Sequence, residues 1–157
     1  MRGPFGPRFS FCLVGAMWQI EPMTYKAIIV HSLKQAETAL AIADSLGKEI
    51  VLRSAPSATA FVGAGVFREI IDQAMAKHPN VQAKAILDCG SDAGWALNAL
   101  RNGVKTVRLQ GSNDVLKKVA DIASQQNANL DTQTENALDL ATVDDPEKAC
   151  RTWLTEI

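Results

Sequence analysis

The chain has 157 residues, 47% of them hydrophobic and 21% charged, with 16 basic side chains against 17 acidic ones. That length and composition fit one globular domain with a core of its own. A net charge of -1 gives no electrostatic case for nucleic acid or an anionic membrane as a partner, and no apolar run reaches the roughly 20 residues of a spanning helix.

Three cysteines, Cys12, Cys89 and Cys150, and two histidines, His31 and His78, complete the inventory of soft ligands. No cysteine pair has redox or metal spacing, so reduced thiols in a cytoplasmic protein are expected, with no metal and no cofactor. Residues 1–22 (MRGPFGPRFSFCLVGAMWQIEP) differ from the rest. They imitate a signal peptide weakly, with Arg2 and Arg8 before a short apolar stretch, but no small-residue cleavage site follows. Met17 and Met23 are alternative starts. The expected organisation is a disordered or over-extended tail over 1–22 and one α/β domain over 23–157.

The first predicted strand is Tyr25–His31, a short apolar run rich in β-branched residues. Ser32 opens a helix, with Ser32 and Gln35 in capping-box spacing and Gly47 as its stop. Glu49–Arg53 is the second strand. A loop of small residues, Ser54 to Gly65, leads to a helix whose buried stripe is Phe67, Ile70, Ile71 and Ala74. Lys84–Asp88 is the third strand, and a turn from Gly90 to Gly94 enters a third helix that ends at Gly103. Val104–Leu109 is the fourth strand, and Ser112 or Asn113 caps a fourth helix running to about Gln125. Asn129–Asp131 is a short fifth strand. Polar, acidic Thr132–Asp144 reads as a loop. Asp145-Pro146 opens the last helix, with Asp as N-cap and Pro at its first position.

Alternating apolar strands and helices predict a mostly parallel sheet of four to five strands, either open and doubly wound or a half-barrel. A faint internal echo bears on that choice. Lys26-Ala-Ile-Ile, a helix, Gly47 and a strand are matched by Lys84-Ala-Ile-Leu, a helix, Gly103 and a strand.

Parallel α/β sheets bind ligands beyond the carboxyl ends of their strands. Here those ends carry His31-Ser32, Ser54 to Ser57, Asp88-Cys89-Gly90-Ser91-Asp92 and Gly111-Ser112. Each precedes a helix, whose first amides favour an anion. Asp88, Cys89 and His31 are the candidates for chemistry: a charge partner, a nucleophile if its thiol is activated, and a base. Ser32, Ser54, Ser57, Gly63, Gly65, Gly90, Ser91, Gly111 and Ser112 are the candidate ligand contacts. Gly63-Ala-Gly65 lacks the third glycine of a dinucleotide fingerprint, because Arg68 stands there.

The segment from Ile86 to Leu109, with LDCG and then A-L-x-x-G, resembles a βαβ unit of phosphate-binding barrels of the keto-deoxy-phosphogluconate aldolase kind. The resemblance implies a phosphate site at strand ends. It does not carry the aldolase activity across, because Lys26, Lys84 and Lys105 sit at strand starts, whereas the aldolase lysine sits near a strand end. Ile86–Leu97 also resembles a response-regulator receiver with Asp88 in the phospho-acceptor place, but His31-Ser32 stand where the acidic pair belongs. The chain from Met23 is similar to small bacterial α/β proteins with a SAP…GAG and LDCG…G pattern, which implies no activity. Two expectations result. One is a site for a small anionic metabolite, phosphorylated or carboxylated, and the residues do not choose between binding and catalysis. The other is a non-catalytic interaction or regulatory module, receiver-like and degenerate, acting as a homodimer.

Overall fold

A computed structural model of the chain describes residues 25–133 and 136–156. The tail expected over 1–22, and the domain start at Met23, lie outside the described residues. Six strands alternate with five α-helices: β1 (Lys26–Ile29), α1 (Leu33–Leu46), β2 (Ile50–Arg53), α2 (Ala64–Lys77), β3 (Ala83–Asp88), α3 (Ala93–Arg101), β4 (Thr106–Arg108), α4 (Asn113–Gln125), β5 (Asn129–Asp131), β6 (Ala137–Asp139) and α5 (Pro146–Thr155). The local signals act as physical chemistry requires. Ser32 Oγ accepts the Gln35 amide, while the Gln35 side chain reaches back one residue further than a capping box does, to the His31 amide. Gly47 closes α1 in the left-handed conformation, at φ 62°. Asp145 caps α5 through the Lys148 amide, with Pro146 at its first position.

All six strands run parallel in one sheet, in the order β5-β4-β3-β2-β1-β6. From β1 to β5 every step goes the same way. Right-handed crossovers then put every helix on one face, and the helices do pack in a row there, with α5 and α2 flanking α1 and α3 between α2 and α4. Of the two arrangements expected, this is the singly wound, barrel-like one. It is not the 2-1-3-4-5 doubly wound order of receiver domains, so the receiver resemblance does not extend to topology.

The segment expected to be a loop, Thr132–Asp144, holds the sixth strand. β6 sits at the opposite edge of the sheet from β5, yet only residues 132–136 join them. Six Cα steps reach at most about 23 Å. Crossing a flat six-stranded sheet takes roughly 24 Å, and more to return from the top of β5 to the bottom of β6. The sheet therefore curls, bringing its edges toward each other.

Side chains alternate across this curled sheet. Ile28, Val30, Ile50, Leu52, Leu87, Cys89, Val107 and Leu109 point to the helices and join one buried cluster. Ala27, Ile29 and Val51, of opposite parity, are also buried but stand outside that cluster, on the concave side. Cys150 of α5 is fully enclosed, and burial pushes its thiol from an ordinary 9.0 up to about 11. A raised thiol pKa stabilises the fold below about pH 9, and that contribution is lost as the pH rises toward about 11. We expect urea titrations at pH 8 and pH 11 to show a loss roughly 2 kcal/mol larger in the parent than in Cys150→Ala.

Candidate functional site

Each strand ends on the same two-residue pattern: an apolar side chain into the helical layer, then a polar one onto the concave face. The pairs are Leu52-Arg53, Leu87-Asp88, Val107-Arg108, Leu130-Asp131 and Leu138-Asp139, with Val30-His31 just past β1. Strand register sets Asp88, Arg108 and Asp131 abreast, and Asp139 level with Ile29 and Arg53. In sheet order the ring reads Asp131, Arg108, Asp88, Arg53, His31, Asp139. Sign alternates around most of it, as neighbours on one sheet face require.

The ring has a closed half and an open half. Arg108 is buried between two carboxylates, with Nε 3.5 Å from Asp88 Oδ2 and Nη1 donating to Asp131 Oδ2 at 3.3 Å. Asp88 is 6% exposed, and its Oδ1 accepts the amides of Ser57 at 2.9 Å and Gly90 at 2.8 Å. Its own amide donates to Ser54 Oγ at 2.8 Å. Asp88 thus ties the β2–α2 loop, the β3–α3 turn and β4 together. At the open half, His31 Nε2 lies 2.7 Å from Asp139 Oδ1, with both side chains about one-third exposed. Arg53 stands between the two halves, half-buried.

The sequence candidates distribute as follows. Ser54, Ser57, Asp88 and Gly90 form the hydrogen-bonded knot just described. His31, Ser32 and Ser54 share a small cavity of about 60 Å³ between the β1–α1 junction, the β2–α2 loop and α2. Cys89 follows Asp88 and so points the other way, 2% exposed in the helical core. Burial raises its thiol pKa, although the Thr59 hydroxyl 3.3 Å from its sulfur works against that. A raised pKa and a closed surface are the opposite of what an activated nucleophile needs. Gly63 precedes α2 with no side chain to cap it, and Gly65 is exposed in its first turn. Ser91, Gly111 and Ser112 are exposed, and Ser112 precedes α4 without a side-chain cap bond. The first-turn amides of α2 and α4 therefore have no side-chain cap.

Asp131 and Asp139 belong to this ring of ionisable residues, and the sequence reading does not single them out. The signal for them was present: Leu-Asp ends β3, β5 and β6 alike. Among the described residues no cluster of three or more His, Cys, Asp or Glu has metal-holding geometry.

No family model and no curated protein matches the chain. Solved structures do match. One is described as a fructose-1,6-biphosphate aldolase from Coccidioides immitis, at 14% identity and a TM-score of 0.58, over 68% of this chain and 39% of that one. This likeness is one of fold. The chain covers well under two thirds of that protein's length.

Proposed function

We propose that this domain binds a small anionic metabolite, phosphorylated or carboxylated, over the carboxyl ends of its strands. One observation carries the reading: all six strand ends place an ionisable side chain on the concave face. Parallel sheets are normally apolar on both faces, and burying charge costs several kcal/mol per ion unless it is well paired. A layer built against stability is where a site is expected. The fold likeness to a phosphate-handling enzyme is compatible with it, as analogy only. Arg53 and the N-terminal amides of α2 and α4 supply positive potential for an acid group, and the His31–Asp139 pair can hold or move a proton beside it.

Thermal-shift measurement against phosphorylated and carboxylated metabolites tests this. A ligand at 100 times its Kd stabilises by about 2.7 kcal/mol, a shift of several degrees for a domain of this size. Stabilisation by at least one such compound, lost in Arg53→Gln and weakened in His31→Ala, is the expected result. A flat panel sinks the proposal.

A second observation favours an interaction surface at the same end. Phe61 is 87% exposed in the β2–α2 loop, and Val62, Val66, Trp95 and Val115 are exposed beside it or in the first turns of α2, α3 and α4. Apolar side chains gathered on one rim suit a partner, including a second copy of this chain. Sedimentation of the parent and Phe61→Ser decides: a dimer lost in the variant, with unchanged thermal stability, supports it, and a monomeric parent ends it.

A further inference from the structure

A second concavity lies at the other end of the molecule from the ionisable ring. It is a cleft of about 620 Å³ between α2 and the starts of β3 and β4, within the range of small-molecule sites. Its cause is in the sheet. β3 pairs with β2 over Ala83–Ile86, but with β4 only at Leu87 and Asp88, so the two strands diverge toward their starts. The carbonyls of Gln82 and Ile86 accept amides of Ile50 and Ser54 on the β2 side. Alternate residues of a parallel strand turn their backbone groups to alternate neighbours. The backbone of Ala83 and Ala85 therefore faces the cleft, where β4 has moved away.

The walls are apolar, from Phe67, Ile71, Met75, Ala83, Ala85 and Val104. The rim is cationic, with Arg68, Lys84 and Lys105 against the single carboxylate of Asp72. Arg68 is engaged with Asp72 and with the Asn102 carbonyl, and Lys84 lies over the Tyr25 ring. Lys105 meets no acid among the described residues. A protein with a net charge of -1 has gathered positive charge beside this apolar concavity.

We infer that this cleft is a second binding site, for an amphipathic anion: an aliphatic or aromatic body against Phe67, Ile71 and Met75, with its carboxylate at Lys105. The site shares no residue with the strand-end ring, so it stands or falls separately from the function proposed above. The neutral body gains by apolar burial, and the head gains from charges that a neutral analogue cannot use.

Calorimetric titration of the full-length protein with decanoate tests the inference, with decanol as the neutral control. Saturable binding at one site per chain is expected, at least tenfold weaker for decanol. Lys105→Glu, an exposed change, should weaken decanoate at least tenfold, and Met75→Trp, which fills the cleft, should abolish it. If Met75→Trp fails to fold, Lys105→Glu decides alone. Absence of saturable binding overturns the inference, and so does binding indifferent to Lys105→Glu. Equal affinity for decanol removes the anion and with it the proposed class. A dimer dissociated by decanoate would give the cleft to a second copy of the chain, which also overturns it.

Discussion

Asp88→Ala is expected to cost roughly 3–5 kcal/mol of folding stability, the range for removing one partner of a buried ion pair. Three groups lose their acceptor at once: the Arg108 guanidinium and the amides of Ser57 and Gly90. Arg108 is 8% exposed, so water does not readily replace the carboxylate. Asp131 holds Arg108 through a different nitrogen and cannot serve the two amides. Asp88→Asn keeps one acceptor and removes the charge, so it should cost less than the alanine. Urea unfolding with a two-state fit measures both. A loss under 1 kcal/mol in Asp88→Ala would show that the knot is not what holds these loops. The role also makes Asp88 a poor probe of ligand binding, because its removal disturbs the site before any ligand is considered. Arg53 and His31 are the better probes.

Gly90→Ala should cost about 2–4 kcal/mol, from two separable sources. Gly90 sits at φ 62°, where a side chain is strained by on the order of 1 kcal/mol. A Cβ there would also collide with the Ser57 hydroxyl. Ser57 is itself held at φ 56° and cannot easily retreat, because its amide is bound to Asp88. Ser57→Gly removes the colliding hydroxyl, so in that background Gly90→Ala should cost only the backbone part, about 1 kcal/mol. The two substitutions are then non-additive, as residues in contact are. Additivity within about 0.3 kcal/mol would contradict the packing described here.

Much of the fold was legible in the chain. The caps at Ser32, Gly47 and Asp145 are short-range devices, and a single sequence contains them whole. β5 falls on Asn129–Asp131 as expected, and the other strands lie within the expected spans or a residue outside them. β6 was not legible as a strand because three residues carry too little periodicity to stand out from a polar surround. Its partner, β1, lies more than a hundred positions earlier.

The site was legible only as a set of strand ends. Asp88, Ser54, Ser57 and Gly90 were all singled out, and the fold joins them. What could not be read was direction. Asp88 and Cys89 are neighbours in sequence, yet one turns to the concave face and the other into the helical core. A one-residue difference in register would exchange them. The pairing of His31 with Asp139, at a separation of 108 residues, needs β6 to be laid beside β1.

The amino-acid sequence by itself determined the elements, their alternation and the charge balance, because propensity, capping and hydrophobic period act over a few residues. Tertiary structure alone decided the single direction of winding, the sixth strand, the curl imposed by a five-residue connection, and the faces on which the ionisable residues stand. These depend on contacts between distant strands, whose register is set by the whole sheet and by no local pattern.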